Sequence, residues 1–133
     1  DIDWPALRAV RSEVKKAIEA MRASGSLRGD LDAEVELYAE GALYETLRKL
    51  GSELRFWLIT SDARVHQGQS DTAIMVSLEG GARLGVSVLK SSHEKCGRCW
   101  HRREDVGADS AHPALCGRCV VNVAGEGEQR RWI

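Results

Sequence analysis

The feature that most constrains this chain is a tetrapeptide that occurs twice. Cys-Gly-Arg-Cys stands at residues 96–99 and, after sixteen intervening residues, again at residues 116–119. These pairs contain all 4 cysteines of the 133-residue sequence. Two residues between cysteines allow one tight turn to direct both sulfurs at a metal, and a second turn completes a tetrahedral set. The spacing predicts one Zn²⁺ ion bound by Cys96, Cys99, Cys116 and Cys119.

A metal held by four thiolates has no open coordination position. The predicted zinc is therefore structural and not catalytic. The four thiolates and the ion together carry a net charge of about -2, which Arg98, Arg118 and Lys95 are expected to offset in part. Gly97 and Gly117 relieve crowding in the two turns.

The four cysteines could also form disulfides, a redox dithiol or an iron–sulfur cluster, and the sequence argues against these alternatives with different strength. Two disulfides are disfavoured because the cysteines cluster in one short segment, as in cytosolic metal sites. A redox dithiol normally has a single pair at the start of a helix, so the second copy argues against it. An iron–sulfur cluster could use the same four sulfurs. His93, His101 and His112 could each replace a cysteine ligand, but we interpret them as solvent, packing or partner-contact groups.

The N-terminal residues predict an amphipathic helix over 3–23. Asp3 can cap this helix, and Pro5 falls in its first turn. Arg8, Arg11, Lys15, Lys16 and Glu19 occupy the opposite face, which we interpret as solvated. The apolar residues recur at spacings of three and four: Trp4, Leu7, Val10, Val14, Ala17, Ile18 and Met21.

The middle of the chain predicts strands and a second helix. The predicted order is a strand at 32–39, a short helix with Leu43, Leu47 and Leu50 on one face, a strand at 54–60, and strands at 73–79 and 82–90 around a Gly80-Gly81 turn. The fold class is therefore α+β: a small sheet of about four strands with helices, followed by an irregular four-cysteine zinc-knuckle segment.

Composition adds weaker constraints. Residues 1–89 carry 11 basic and 14 acidic side chains, whereas residues 90–133 carry 8 and 6, a small basic excess that is weak evidence for a polyanionic partner. The tail has few large apolar residues and needs the metal for order. No apolar run approaches the ~18 residues of a membrane helix, and no secretion signal is present. We expect a cytoplasmic, monomeric protein without a membrane partner.

The cysteine segment closely resembles the C-terminal zinc segment of bacterial isoleucyl-tRNA synthetases. The residues that carry this resemblance are 95–101, 105–107, 112–113, 115–119, 122–125, Gly127 and Glu128. The body resembles the same family at 9–16, 35–39 and 50–56, whereas 65–79 match only loosely. The resemblance covers essentially the whole chain.

The resemblance implies a division into three parts: residues 1–26 as the end of the anticodon-binding region, 27–92 as a small α+β domain, and 93–133 as the zinc-binding segment. It also implies one part of an ATP-dependent ligase that holds tRNA(Ile) near its anticodon end, with the rest of the synthetase chain as a partner. In that family, activation and editing reside in earlier domains with HIGH-type and KMSKS-type motifs, which this sequence lacks. The chain alone is therefore expected to have no catalytic site.

Cationic and aromatic residues of the tail are the candidates for tRNA contact, because cations can meet phosphates and flat rings can stack on bases. For each arginine the alternative is a solvated charge, and for Trp100 it is a lid over the knuckle. The candidates are Arg98, Trp100, His101, Arg102, Arg103, Arg118, Arg130, Arg131 and Trp132.

Two functions of other classes fit parts of the sequence. Formamidopyrimidine-type DNA glycosylases have a similar pair of CxxC motifs, but this chain lacks their N-terminal proline and runs on for 14 residues after Cys119. A free-standing zinc adaptor that binds protein is the second alternative. A long synthetase encoded upstream of Asp1 would discriminate against both.

Overall fold

The predicted amphipathic helix is present in the computed structural model, which describes residues 2–78, 81–125 and 127–132. Helix α1 spans Trp4–Ala23, and the Asp3 side chain accepts a hydrogen bond from the Ala6 amide at 3.1 Å. Four apolar residues of α1 are completely buried: Leu7, Val10, Val14 and Ile18. Its period of 3.6 residues places them on one face, which forms a wall of the core.

A mixed sheet of four strands packs against the helices, with the order β2-β1-β4-β3. The strands are β1 (Ala33–Ala39), β2 (Asp62–Gln67), β3 (Ile74–Ser77) and β4 (Arg83–Lys90). The central strand β1 pairs in parallel with β2 and antiparallel with β4. Val35 and Leu37 of β1 are fully buried in the core, and the strand lies where the sequence predicts one, at 32–39. The α+β fold class is confirmed.

Helix α2 and the β3–β4 hairpin also agree with the sequence pattern. Helix α2 (Gly41–Leu50) buries its three predicted leucines. Strands β3 and β4 pair antiparallel from Ile74↔Val86 to Ser77↔Arg83, which confirms a hairpin. Gly81 has a φ of 89°, as a tight turn requires. Glu79 and Gly80 lie outside the described residues.

The prediction of a strand at 54–60 is wrong. Residues Leu54–Leu58 form a short helix, α3, which ends at Ile59 in the left-handed conformation with a φ of 57°. Leu54 and Leu58, one helical turn apart, are both fully buried. A short apolar run does not distinguish a buried strand from a buried helical turn.

Strand β2 completes the four-stranded sheet in place of the strand predicted at 54–60. It lies in a segment for which the sequence pattern predicts no element. Its sequence is mostly polar, and its residues are half-exposed because β2 is an edge strand. Arg64 of β2 donates to Glu34 at 2.8 Å and to Glu36 at 3.2 Å on the neighbouring strand. Cross-strand ion pairs therefore help to hold β2 in place, together with Ala63 and Val65, which pack against the core.

Helix α4 (Gly117–Ala124) is the last regular element of the described chain. The cysteine segment has its own small cluster, in which Cys96, Cys116 and Cys119 are buried against Val106 and Leu115. The large core instead joins α1, the sheet, α2 and α3. None of the described helices is long and apolar enough to cross a membrane.

Candidate metal centre

The two CGRC turns bring four sulfurs together. The Sγ atoms of Cys96, Cys99, Cys116 and Cys119 all lie within 4.8 Å of one another. The Cys99 and Cys116 Sγ atoms are 3.8 Å apart. Four sulfurs around Zn²⁺ at ~2.3 Å are separated by about 3.8 Å in an ideal tetrahedron. The residues present therefore fit a tetrathiolate zinc site.

Backbone hydrogen bonds fix the first turn. The Cys96 amide donates to the His101 carbonyl at 2.8 Å, and the Trp100 amide donates to the Cys96 carbonyl at 3.0 Å. The Gly97 amide donates to the Ala114 carbonyl at 2.7 Å, which joins the first turn to the approach of the second. The loop therefore folds back on itself around the sulfurs.

The second turn leads directly into α4, whose first residue is Gly117. A Cβ atom at Gly117 would lie 2.5 Å from the Asp105 carboxylate. Such a contact is too short for carbon and oxygen, so any larger residue here would require the exposed Asp105 side chain to move.

Hydrogen-bond donors point at the sulfurs. The amides of Arg98 and Cys116 each donate to Cys96 Sγ at 3.4 Å, and the Arg98 guanidinium donates to Cys119 Sγ at 3.4 Å. Burial alone would raise the pKa of Cys96, but the amide donors outweigh it and lower the pKa to about 6. These donors favour the thiolate form that binds metal.

The other buried thiols resist ionisation unless a cation is present. Burial raises the pKa of Cys116 to about 12, and it also raises the pKa of Cys119. Thiolates this close together repel one another in a poorly solvated pocket. A divalent cation offsets both the burial of the thiolates and their mutual repulsion, and a soft sulfur donor set suits zinc.

Comparison with known proteins agrees with this geometry. Residues 94–121 match the family model described as "Zinc finger found in FPG and IleRS". The isoleucine–tRNA ligase of Thioalkalivibrio sulfidiphilus is 56% identical over 131 residues, which cover 97% of this chain and 14% of that protein. The isoleucine–tRNA ligases of Pseudomonas paraeruginosa and Halorhodospira halophila are 51% and 48% identical over 129 residues each, covering 97% and 96% of this chain and 14% of each relative.

The chain is similar to a C-terminal region of isoleucine–tRNA ligases.

The predicted resemblance to this synthetase is therefore confirmed, along the body as well as the cysteine segment. The zinc-finger model is shared with FPG and does not by itself distinguish the two. The match along 97% of the chain does favour the synthetase. The chain spans about 14% of the length of these relatives.

In this synthetase-like segment, Arg102 and Arg103 attach the zinc knuckle to the body. Arg102 Nε donates to Asp32 Oδ1 at 2.9 Å, and its amide donates to Ser61 Oγ at 2.6 Å. Arg103 donates to the Ser61 carbonyl at 2.7 Å. Both side chains are therefore bonded to the turns that flank β1 and β2.

His101 lies in the junction between knuckle and body and is not a fifth member of the sulfur cluster. Its Nδ1 is 3.0 Å from the Arg55 guanidinium, and its ring meets the edge of Phe56 at a centroid distance of 5.6 Å. Burial, reinforced by nearby arginines, lowers the pKa of His101 to about 4. The ring is thus neutral at physiological pH.

Arg55 places a buried positive charge beside the metal centre. The residue is only 8% exposed. Burial and the charges of Arg103 and Arg118 lower its pKa to about 10, while Cys116 and Cys99 act in the opposite direction. Among the described residues no carboxylate forms an ion pair with Arg55. If a metal ion holds the cysteines as thiolates, their negative charge would compensate Arg55.

Arg118 and Arg130 share one carboxylate. Glu128 accepts from Arg118 at 2.8 Å and from Arg130 at 3.0 Å. Burial alone would raise the pKa of Glu128, but its donors, Asn122 among them, lower it to about 2. The Arg130 guanidinium also lies 3.8 Å from the centroid of Phe56. These contacts fold the tail back onto α3 and α4.

The last described residues form a strap to the body. The amides of Arg131 and Trp132 donate to the Glu53 carboxylate at 3.0 and 2.8 Å. The Trp132 indole donates to the Lys49 carbonyl at 3.2 Å and packs against the large core. Trp132 therefore has a structural position at the end of α2.

Trp100 differs from the other aromatic candidates because its ring faces solvent. The residue is 60% exposed and has a φ of 68°, a conformation that is unusual for a side chain of this size. Lys95 Nζ lies 4.8 Å from the ring centroid. Lys95 and Arg98, which precede Trp100 in the same turn, are also exposed.

Sequence reasoning misses the residues of the body that receive the knuckle: Asp32, Glu53, Arg55 and Ser61. No spacing pattern marks them, because each lies far along the chain from its partner. Phe56 also contacts the cysteine segment, through His101 and Arg130, whereas Trp57 contacts α1. The sequence pattern instead assigns both to a core strand.

Proposed function

We propose that this chain is the zinc-bearing, tRNA-docking C-terminal part of an isoleucine–tRNA ligase. One Zn²⁺ ion, held by Cys96, Cys99, Cys116 and Cys119, fixes the knuckle. The parent enzyme attaches isoleucine to tRNA(Ile) with ATP in its other domains. This part holds the tRNA near its anticodon end, carries no catalytic or editing site, and works as a monomer in the cytoplasm without a membrane partner.

The observation that carries the proposal is the exposed Trp100 ring on a rigid turn. A positive φ at a residue other than glycine costs on the order of 1 kcal/mol. The Trp100 amide, bonded to the Cys96 carbonyl, and the adjacent zinc ligand Cys99 hold this conformation. A ring held out into solvent at such a cost fits a stacking contact better than a lid over the knuckle.

Lys95 and Arg98 complete this contact surface. Lys95 lies near one face of the ring, so a base can stack on the other face while the ammonium meets a phosphate. Stacking of a base on an aromatic side chain contributes ~1–3 kcal/mol. In the proposal Arg130 and Arg131, which are exposed, extend the same positive surface.

The remaining predicted contact residues have a supporting role in the proposal. Arg102 and Arg103 hold the knuckle on the body, as do the buried His101 and the tail residue Trp132. Arg118 secures the tail through Glu128. These residues therefore position the contact surface and do not themselves touch RNA.

The test is the affinity of the zinc-loaded protein for a tRNA(Ile) transcript. Trp100→Ala is expected to weaken binding about tenfold or more through loss of stacking, whereas Trp100→Phe should retain most of the affinity. Val123→Ala, at an exposed position of α4, is the matched control. Unchanged affinity of Trp100→Ala, with zinc content intact, would contradict the proposal.

A further inference from the structure

A basic face lies on α1, opposite the side that packs into the core. One open depression of about 710 Å³ is lined entirely by α1 side chains, namely Arg8, Arg11, Ser12, Lys15, Lys16 and Glu19. None of these is a large apolar residue. No other element of the described chain contributes to the lining, so this face is open.

Two of the four cations on this face have no acidic partner within the described chain. Lys15 pairs with Asp30, and Lys16 pairs with Glu13 at 3.0 Å. Among residues 2–78, 81–125 and 127–132, no carboxylate forms an ion pair with Arg8 or Arg11. The excess positive charge therefore sits at two arginines three residues apart, which are neighbours on a helix surface.

The Arg11 guanidinium is held in place by an aromatic ring. It lies 5.0 Å from the centroid of Trp57. The Trp57 indole donates to the Leu7 carbonyl at 3.1 Å, and its ring packs against Trp4 at a centroid distance of 5.4 Å. A guanidinium on a ring face keeps its N–H groups available at the edge. Because it is already ordered, it loses little freedom on meeting an anion.

Helix α3 joins this face to the arginines of the tail. Phe56, next to Trp57, has the guanidinium groups of Arg118 and Arg130 at 5.0 and 3.8 Å from its ring centroid. Arginines from α1 and from the cysteine segment thus flank two adjacent rings.

We propose that the basic face of α1, centred on Arg8 and Arg11, is a second phosphate-binding surface for RNA, separate from Trp100. The inference rests on the proposed function, which supplies tRNA as the ligand. Two neighbouring guanidinium groups with free donor edges suit a phosphate backbone. The centre of a protein–protein interface is instead depleted of charge and rich in aromatic residues.

The experiment measures binding of a labelled tRNA(Ile) transcript to the zinc-loaded protein over a series of salt concentrations. Each lost phosphate contact should reduce the slope of log affinity against log salt by ~0.7–0.9. The double variant Arg8→Gln/Arg11→Gln is therefore expected to lose about 1.4–1.8 in slope, and roughly five- to tenfold in affinity at low salt. The charge-matched control Arg83→Gln/Lys90→Gln, on β4, should change affinity less than about twofold.

The outcomes separate this inference from the proposed function. An unchanged slope in the Arg8/Arg11 variant, while Trp100→Ala still weakens binding, overturns the inference alone. If the Arg8/Arg11 variant leaves the slope unchanged and Trp100→Ala leaves the affinity unchanged, the proposed function is overturned as well. Arg11→Lys keeps the charge and should keep the slope; a slope lost in this variant would overturn the phosphate assignment. A full-length synthetase that is destabilised by Arg8→Gln/Arg11→Gln without a change in tRNA slope would show that this face docks protein.

Discussion

The ion pair between Arg102 and Asp32 is the most direct test of how the zinc knuckle is fixed to the body. The two side chains are 29% and 15% exposed, and Nε lies 2.9 Å from Oδ1. Burial opposes ionisation of Asp32, but bonds from Arg102 and the Arg28 amide outweigh it and hold its pKa below the ordinary value. The pair is therefore fully charged at neutral pH.

The expected cost of breaking this pair follows from its burial. A hydrogen bond to a charged group contributes ~1.5–3 kcal/mol, whereas an exposed surface pair contributes ~1 kcal/mol or less. We expect Arg102→Met to lower the free energy of unfolding of the zinc-loaded protein by about 2 kcal/mol. The loss includes the bond from Arg102 to the His93 carbonyl, at 3.2 Å.

A double-mutant cycle with Asp32→Asn isolates the pair. Denaturant unfolding of the wild type, both single variants and the double variant should give a coupling energy of about 1–1.5 kcal/mol. The control is Arg48→Met, which breaks an exposed pair with Glu45 at 3.0 Å and should cost less than about 0.5 kcal/mol. A coupling below about 0.3 kcal/mol, the additivity limit for independent sites, would refute the inference that this pair joins knuckle and body.

Three other substitutions test separate parts of the metal centre. Arg55→Met should destabilise the zinc-loaded protein but have little effect after chelation, when the knuckle loses its order and no longer buries the Arg55 charge; thermal unfolding with and without zinc measures both, and an equal loss in both states would contradict this. Gly107→Ala should lower the free energy of unfolding of the zinc-loaded protein by about 1–2 kcal/mol, because Gly107 has a φ of 83° and its Cβ would lie 3.0 Å from the Pro113 carbonyl oxygen. Denaturant unfolding checks this prediction, and Gly29→Ala, at an extended position in open space, is the control; equal stabilities of the two variants would contradict it. Glu128→Gln should cost about 1–2 kcal/mol by weakening the bonds to Arg118, with zinc content unchanged; unaltered unfolding would show that the tail contact is dispensable.

Much of the fold could be predicted because local periodicity and burial agree. The face of α1, the alternation of β1 and the leucines of α2 each repeat often enough to identify the element. The repeated CGRC motif predicts the sulfur cluster for a related reason, since two residues between cysteines already constrain where both sulfurs point. In these cases the deciding interactions lie within a few residues along the chain.

The errors occur where distant residues decide the structure. Helix α3 has the composition of a strand, and only packing of Leu54 and Leu58 into the core shows that it is helical. Strand β2 is held by the bonds of Arg64 to β1, which no local pattern reveals. That the tail arginines contact RNA stays a prediction, and composition also does not show that Asp32 binds Arg102 and Glu128 binds Arg118.

The central claim is that one zinc ion on four thiolates organises this segment, and metal analysis of the purified protein tests it most directly. Elemental analysis combined with X-ray absorption at the zinc edge should show one zinc per chain with four sulfurs at ~2.3 Å. Iron in place of zinc, a protein free of metal, or two disulfides among the four cysteines would contradict the claim.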